Sequence, residues 1–164
     1  MYAASMIRNL YFDQLRRAQL SLRHILEASE RDSFSIYRDG GTGWTVTEVL
    51  CHLRDFESVF LERAQLTVNN EFPDIPFPDP DQLAIDHHYA DEQAWQAFED
   101  WQRRRRAMLE FLECQEEDVW ERAANHPTRG RFTLNQQLAL AAWHDVNHIE
   151  QITRILAEKR NRVQ

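Results

Sequence analysis

Hydrophobic residues recur every three or four positions through four long segments of the chain, a spacing typical of amphipathic helices. The first segment covers about residues 5–30, and the second runs from "WTVTEV" at 44–49 to about residue 68. The third covers about residues 91–114, and the fourth runs from "FTLNQQ" at 132–137 to about residue 159. Glycine and proline cluster between them, where helices end. No period-two alternation is long enough to build a sheet. The pattern therefore predicts an all-α fold.

Two of these segments begin with the signature of a helix N-terminus. Thr45 is followed three residues later by Glu48, and Thr133 by Gln136, which predicts a capping box at the start of the second and fourth helices. In the first helix we expect the buried stripe to contain Ile7, Leu10, Tyr11, Ala18, Leu22 and Ile25.

Four amphipathic helices of this length favour a four-helix bundle that forms a single domain over residues 1–164. Segment 69–90 carries four of the five prolines and is much longer than the ~2–8 residues usual in bundle loops. A loop of that length can cross the whole bundle and let the second and third helices run parallel. We therefore do not expect simple up-down-up-down topology.

The composition narrows the class of function. The chain has 19 Lys and Arg against 27 Asp and Glu, a net charge of −8, and such an acidic surface repels nucleic acid. No apolar run approaches the ~20 residues of a membrane span, and the N-terminus lacks a signal-peptide pattern. Cys51 and Cys114 form no CxxC motif and suit reduced thiols. We expect a cytoplasmic protein that binds neither nucleic acid nor membranes.

Three histidines are candidates for a shared site. His144 and His148 are four residues apart and so lie one turn apart on one helix face, His148 on the inward stripe and His144 on its flank. His52 lies on the inward stripe of the second helix. Three imidazoles that meet in the core suit Zn²⁺, Ni²⁺, Fe²⁺ or Mn²⁺ and leave coordination positions open. The alternative is that His144 is solvated and His148 is hydrogen-bonded to the backbone.

The other candidates have structural interpretations beside the functional ones. Glu48 is a candidate for a fourth metal ligand or a general base. We favour the alternative that it only caps the helix. Asp55 and Asp145 are expected at the helix surface rather than against a ligand imidazole. The remaining histidines are interpreted as structural or solvent-facing, with His88 a possible lid residue: His24, His87, His88 and His126.

Arg105 stands out from its neighbours in "RRRR" at 103–106 because it follows Phe98 and Trp101 along the inward stripe of the third helix. Its guanidinium either reaches solvent or pairs with a carboxylate while its stem packs on the core. In the functional interpretation Arg105 anchors the carboxylate of a thiol cofactor or substrate at the mouth of the cleft.

Two motifs together resemble the DinB-like (DinB/YfiT-type) superfamily: "EVLCHLRDFE" at 48–57, which contains His52, and "HDVNHIEQI" at 144–152. The resemblance covers nearly the whole chain and implies a four-helix bundle, often dimeric, with a divalent metal on His52, His144 and His148. Members resemble metal-dependent thiol transferases, hydrolases or isomerases.

From this resemblance we expect an enzyme that uses Zn²⁺ or Ni²⁺, or else Fe²⁺ or Mn²⁺, to transfer a low-molecular-weight thiol to an electrophilic small molecule. The alternatives are a hydrolase that uses metal-activated water and a non-catalytic stress-response or ligand-binding bundle. The resemblance also implies a homodimer.

Overall fold

The structure, a computed structural model, describes residues 2–162. In chain order the helices and strands are α1 (Tyr2–Glu27), α2 (Ser33–Ile36), α3 (Val46–Asn69), α4 (Pro80–Asp86), α5 (Ala94–Glu113), β1 (Ala123–His126), β2 (Gly130–Thr133) and α6 (Leu134–Arg162). Position 1 and positions 163–164, the ends of the predicted domain, lie outside the described residues. None of the described helices is long and apolar enough to cross a lipid bilayer.

The four long helices confirm the predicted all-α bundle, and the predicted caps explain where two of them begin. The Thr45 side chain accepts from the Glu48 N–H at 3.2 Å, and the Glu48 carboxylate accepts from the Thr45 N–H at 2.7 Å. Thr133 and Gln136 make the same pair of bonds at the start of α6. Each box satisfies two backbone donors that the first helical turn leaves free.

The direction of α1 relative to α6 follows from contacts along their length. Arg8 donates to Asn135, and Gln14 donates to the Ala142 carbonyl, so residue numbers rise together and the two helices are parallel. In α3 and α6 the contacts run in opposite order, since Thr67 of α3 meets the start of α6 at Gln137. These two helices are therefore antiparallel.

Helices α3 and α5 are parallel, as the long connection between them allowed. Arg54 pairs with Glu92, just before α5, and three residues later Glu57 accepts from Trp101. Ser58 then accepts from Arg104. The long helices consequently run up, down, down and up.

The buried face of α1 differs from the one predicted. Ile7 and Leu10 are 48% and 57% exposed, whereas Phe12 and Leu15 are buried. The prediction was wrong in this half of the helix because α1 carries apolar residues on more than one side. Spacing alone could not choose which side meets α5 and α6.

A short β-hairpin was not predicted. Its strands are only four residues long, with Ala123 opposite Thr133 and a turn at Gly130, which has φ +67°. Four residues are too few for a period of two to be recognised. The hairpin holds the long connection, because the Ile75 N–H donates to the Asn125 carbonyl and the Asn125 N–H donates to the Pro73 carbonyl.

The same connection is fixed to α3 by Asp55. The sequence placed Asp55 at the helix surface, but it is only 6% exposed because the segment before α5 folds over it. Its carboxylate accepts hydrogen bonds from Arg54 at 2.8 Å, His87 at 2.7 Å, Tyr89 at 2.9 Å and Arg104 at 3.0 Å. Asp55 thus joins the connection, α3 and α5.

Asp55 should make stability depend on pH. Burial by itself would raise the pKa of Asp55, but hydrogen bonds from Arg54, His87 and Tyr89 outweigh burial and lower it to about 2. The stabilisation is complete above the unfolded pKa of about 4 and is lost as the pH falls towards 2. We expect Asp55→Asn to lower the free energy of unfolding by about 2 kcal/mol at neutral pH.

Urea unfolding of the wild type and Asp55→Asn at several pH values checks this. The difference in unfolding free energy should shrink below about pH 4. Asp13, whose side chain is 63% exposed, provides the control variant Asp13→Asn, which should change stability little at any pH. A difference for Asp55→Asn that stays constant with pH would contradict the assignment.

Candidate metal centre

The structure brings together the three histidines selected from the sequence. His52 comes from α3, and His144 and His148 come from consecutive turns of α6. One ligand atom from each ring lies within 4.8 Å of the other two. The Nε2 atoms of His52 and His144 are 2.9 Å apart, and the His148 ring centroid is 4.6 Å and 4.4 Å from those of His52 and His144. The antiparallel packing of α3 and α6 produces this convergence.

Aromatic rings form the walls of the site. Trp44 and Phe56 lie 5.0 Å and 4.3 Å from the His52 ring, measured between centroids. Phe56 also stacks on His144 at 5.5 Å. His52 is buried, while His144 and His148 are partly exposed. The site therefore has an apolar interior and one side open to solvent.

The three rings are neutral at neutral pH. Burial, followed by the neighbouring His148, lowers the pKa of His52 to about 3. Burial likewise holds the pKa of His144 well below its ordinary value, and burial lowers the pKa of His148. Neutral imidazole offers a free nitrogen lone pair, which is the form that binds a metal.

The arrangement of the ring nitrogens fits a divalent ion. Two lone pairs 2.9 Å apart, as between His52 and His144, repel each other unless a proton or cation lies between them. Two nitrogens bound about 2 Å from one tetrahedral ion are about 3.3 Å apart, so the two rings would need to separate by only about 0.4 Å. The Nδ1 atoms of both rings are buried without a hydrogen-bond partner among the described residues. No acceptor or donor at Nδ1 therefore forces the proton onto Nε2, where it would block metal binding.

His148 is oriented by a chain of polar groups. Arg154 donates to both oxygens of Asp39 at 2.8 and 2.9 Å, and Asp39 accepts from the Gln151 amide nitrogen at 3.0 Å. The Gln151 oxygen must then face His148, where it lies 2.8 Å from Nδ1. Nδ1 therefore carries the proton, and Nε2 is left with its lone pair.

The sequence did not predict that Gln151 and Asp39 take part in the site. Gln151 follows His148 by three residues on the same helix face, a spacing that provides a usable signal. Asp39 lies in a turn more than a hundred residues earlier, where Gly40 has φ +58°, and nothing local connects it to the histidines.

Arg105 lies elsewhere than its predicted position at the mouth of the cleft. Its guanidinium is fully buried and donates to both oxygens of Glu57 at 2.6 and 2.7 Å and of Asp145 at 2.6 and 2.9 Å. A guanidinium in this position cannot anchor the carboxylate of a substrate. The structure shows the alternative interpretation, in which Arg105 pairs with carboxylates of the protein itself. Asp145 is 1% exposed, so its predicted surface position is also corrected.

Burial alone would oppose the charge on Arg105, but Glu57 and Asp145 outweigh it and raise the pKa of the guanidinium. Two buried carboxylates share this single cation, and burial raises the pKa of both. The triad crosses from α3 through α5 to α6 and ties together the helices that carry the histidines.

The remaining candidates take structural positions. Glu48 caps α3 and pairs with Arg38 at 3.2 Å, as the favoured interpretation expected. His87 binds Asp55, His24 and His88 are exposed, and His126 is buried at the end of β1 in the hairpin. Cys51 and Cys114 are both unpaired thiols.

Comparison with known proteins gives a family match over most of the chain. The model described as the DinB superfamily matches residues 11–152. A protein of Oceanobacillus iheyensis named "Putative metal-dependent hydrolase OB0782" is 26% identical over 137 residues, which are 82% of this chain and 77% of that protein. "Putative metal-dependent hydrolase YfiT" of Bacillus subtilis is 33% identical over 136 residues, 73% of this chain and 66% of YfiT.

Solved structures share the fold. YfiT from Bacillus subtilis, described as "a probable metal-dependent hydrolase with an unusual four-helix bundle topology", superposes with a TM-score of 0.83 and 24% identity over 93% of this chain and 87% of YfiT. A mycothiol-dependent maleylpyruvate isomerase superposes with a TM-score of 0.73 at 10% identity, over 88% of this chain and 60% of that longer protein.

Proposed function

The chain belongs to the DinB superfamily, and from this premise we propose that it is a metal-dependent enzyme whose divalent ion is held by His52, His144 and His148. The observation that carries the proposal is the pair of neutral Nε2 atoms 2.9 Å apart beside the third ring. Zn²⁺ and Ni²⁺ suit three imidazoles best, and Fe²⁺ and Mn²⁺ also accept them. The names of the two sequence relatives support metal dependence.

We propose that the reaction transfers a low-molecular-weight thiol to an electrophilic small molecule. A divalent ion held by the three neutral histidines would lower the pKa of a thiol bound at an open position, so that the thiol would lose its proton to solvent and react as thiolate. Trp44, Phe56 and Phe60 surround the rings and exclude water from the inner side of the site. The open side at His144 and His148 admits the substrates.

The surrounding carboxylates favour a thiol over water as the nucleophile. Among residues 2–162 no carboxylate is hydrogen-bonded to any of the three rings. Asp55 already accepts from four groups, and Glu57 and Asp145 are bound to Arg105. Attack by water on an ester or amide generally benefits from a free general base, whereas a thiolate needs none.

Hydrolysis by metal-activated water is the second candidate, and the names of the two sequence relatives favour it. Protein purified without a histidine tag should first be analysed for metal. A panel of thiols with electrophiles and a panel of esters and amides then separate the two reactions. Consumption of thiol supports transfer, and turnover of an ester or amide without thiol supports hydrolysis. A melting temperature that does not change when Zn²⁺ or Ni²⁺ is added would instead favour the alternative of a non-catalytic stress-response or ligand-binding bundle.

Gln151 should act on metal affinity through His148. Gln151→Leu removes the acceptor that fixes the proton on His148 Nδ1, and loss of such a partner typically weakens metal binding about 10- to 100-fold. Competition titration with a chromophoric chelator measures the change. The matched control is Asn147→Ala on the same helix, because the Asn147 side chain donates to the Trp143 carbonyl of its own helix and not to a ligand ring. Equal metal affinity in Gln151→Leu and the wild type would show that Gln151 does not orient the ligand.

We propose that the protein forms a homodimer through the exposed face of α1 and α6. Leu10, Trp143 and Val146 are 57%, 61% and 48% exposed. An open groove of about 550 Å³ is lined by Tyr11, Gln14, Leu140, Trp143 and Val146, among others. The only charged residue between 134 and 147 is the buried Asp145, so the α6 part of this face opposes no exposed carboxylates when two copies of this acidic chain meet. A monomeric sedimentation profile at micromolar concentration would refute the dimer.

A further inference from the structure

A second group of buried polar side chains lies beyond the three histidines, at the end of α3 and beside the hairpin. Arg63 is 2% exposed, and no carboxylate of the described residues forms an ion pair with it. Its Nε donates to the Pro76 carbonyl at 2.8 Å, but Nη2 is buried and has no hydrogen-bond partner in the part of the chain that the structure describes. A buried cation without a counter-ion is costly, and this chain has 27 acidic residues that could have supplied one.

Two neighbouring charges act on Arg63: the stronger is the cation of Arg129, and the weaker is the carboxylate of Glu62, which opposes it. Burial, followed by the charge of Arg129, lowers the pKa of Arg63 to about 10, so the guanidinium is still positive at neutral pH. Arg129 is exposed and lies over the Phe132 ring at the edge of this region. At Arg63 the effect of the positive neighbour thus exceeds that of the negative one, although the chain has a net charge of −8.

His126 supplies a second unsatisfied donor. It is 1% exposed, and its Nδ1 accepts from the Thr128 backbone N–H at 3.2 Å. Nδ1 therefore has no proton, and in the neutral ring Nε2 must carry it. This Nε2 is buried and has no partner among the described residues. Burial, with Arg63 and Arg129 nearby, lowers the pKa of His126, which keeps the ring neutral.

Aromatic rings connect Arg63 with His126 through Phe77 and with the metal centre through Phe60. The Phe77 ring lies 5.8 Å from the Arg63 guanidinium carbon and 4.9 Å from the His126 ring. On the other side, Phe60 lies 5.8 Å from the same guanidinium carbon and 5.2 Å from the His144 ring. Phe77 thus contacts both donor side chains, and Phe60 contacts both Arg63 and His144 of the metal centre.

We propose that Arg63 and His126 form a binding site for the carboxylate of the substrate, and that this carboxylate holds the substrate while its reactive end faces the three-histidine centre. The guanidinium Nη2–H and the imidazole Nε2–H would each donate to one carboxylate oxygen. The site would select small carboxylic acids from neutral electrophiles of similar shape. The reaction of the bound carboxylic acid at the three-histidine centre rests on the proposed function. Binding of the carboxylate by Arg63 and His126 does not require the metal.

The full-length protein, with and without Zn²⁺, is titrated with acetate while the His126 ring resonances are followed by NMR. We expect a saturable shift in both forms, none with the neutral isostere acetamide, and weaker binding of inorganic phosphate. Arg63→Met should weaken acetate binding by about 10- to 100-fold, the usual effect of losing a hydrogen bond to a charged group. Arg63→Lys, which keeps the charge, should retain part of the affinity.

Arg131→Met is the matched control, because Arg131 is an exposed arginine of the same hairpin whose guanidinium bonds the Glu121 carbonyl. It should leave acetate binding unchanged. Absence of a saturable His126 shift in the wild type, or equal acetate affinity in Arg63→Met, would overturn the site. Tighter binding of phosphate than of acetate would overturn the choice of carboxylate. Acetate binding in a protein that takes up no Zn²⁺ would preserve this site and reject the proposed metal centre instead.

Discussion

Replacing His148 with alanine is expected to weaken binding of Zn²⁺ or Ni²⁺ by at least about 100-fold, more than the loss of a group that only orients a ligand. His148 presents an unprotonated Nε2 because Gln151 fixes the proton on Nδ1. Without it only His52 and His144 remain, and two imidazoles on one side of an ion do not complete a three-ligand site. His148 is preferred to the buried His52 for this test because it is partly exposed, so its truncation disturbs packing less.

The loss is measurable as a loss of stabilisation by metal. A site filled at about 100 times its Kd adds about 2.7 kcal/mol to the free energy of unfolding, whereas a site 100-fold weaker adds about 0.4 kcal/mol under the same conditions. Urea unfolding with and without Zn²⁺ resolves this difference. Activity in the thiol and ester assays should disappear in parallel.

His24 provides the control for this experiment. Its side chain is 78% exposed on α1, so His24→Ala removes a histidine without touching the centre and should keep the full response to metal. Stoichiometric metal retained by His148→Ala would exclude His148 as a ligand. Equal loss in both variants would indicate that metal binds nonspecifically to surface histidines.

Replacing Arg105 with methionine is expected to lower the free energy of unfolding by about 3–5 kcal/mol, the range measured when one partner of a buried ion pair is removed. Glu57 and Asp145 would remain in the interior without their cation, and the Leu15 carbonyl would lose its donor. Methionine fills much of the volume that the aliphatic part of the arginine side chain occupied. The loss of stability therefore comes mainly from the uncompensated carboxylates rather than from a cavity.

Arg103→Met is the matched control, because Arg103 is two residues earlier on α5 and its side chain is 56% exposed. It should change the unfolding free energy by less than about 1 kcal/mol. Replacing Arg105, Glu57 and Asp145 together with apolar residues should recover much of the lost stability, since no charge then stays buried. If Arg105→Met were no worse than Arg103→Met, the triad would not stabilise the bundle.

The helices and their order were predictable because the forces that define them act over a few residues. Apolar spacing and the capping boxes at Thr45 and Thr133 fixed where α3 and α6 begin. The length of segment 69–90 anticipated the parallel arrangement of α3 and α5. The face of α1 was not predictable, since Ile7 and Leu10 are as apolar as the residues that the core selected.

The candidate metal site was accessible from sequence for a related reason. His52 and His148 fall on stripes that must face the core, and an imidazole there needs a partner. Because α3 and α6 are antiparallel neighbours, those stripes meet.

The sequence by itself therefore determined the helical bundle and the three histidines, since periodicity, capping and burial of a stripe are encoded within a few turns of one helix. Only the tertiary structure decided which charges are buried and with which partners. Arg105 pairs with Glu57 and Asp145, and Asp39 accepts a hydrogen bond from Gln151. Arg63 has no counter-ion within residues 2–162. Such pairings depend on the rotation and crossing of helices that are distant in sequence, and the energies that set them appear only when the chain is folded.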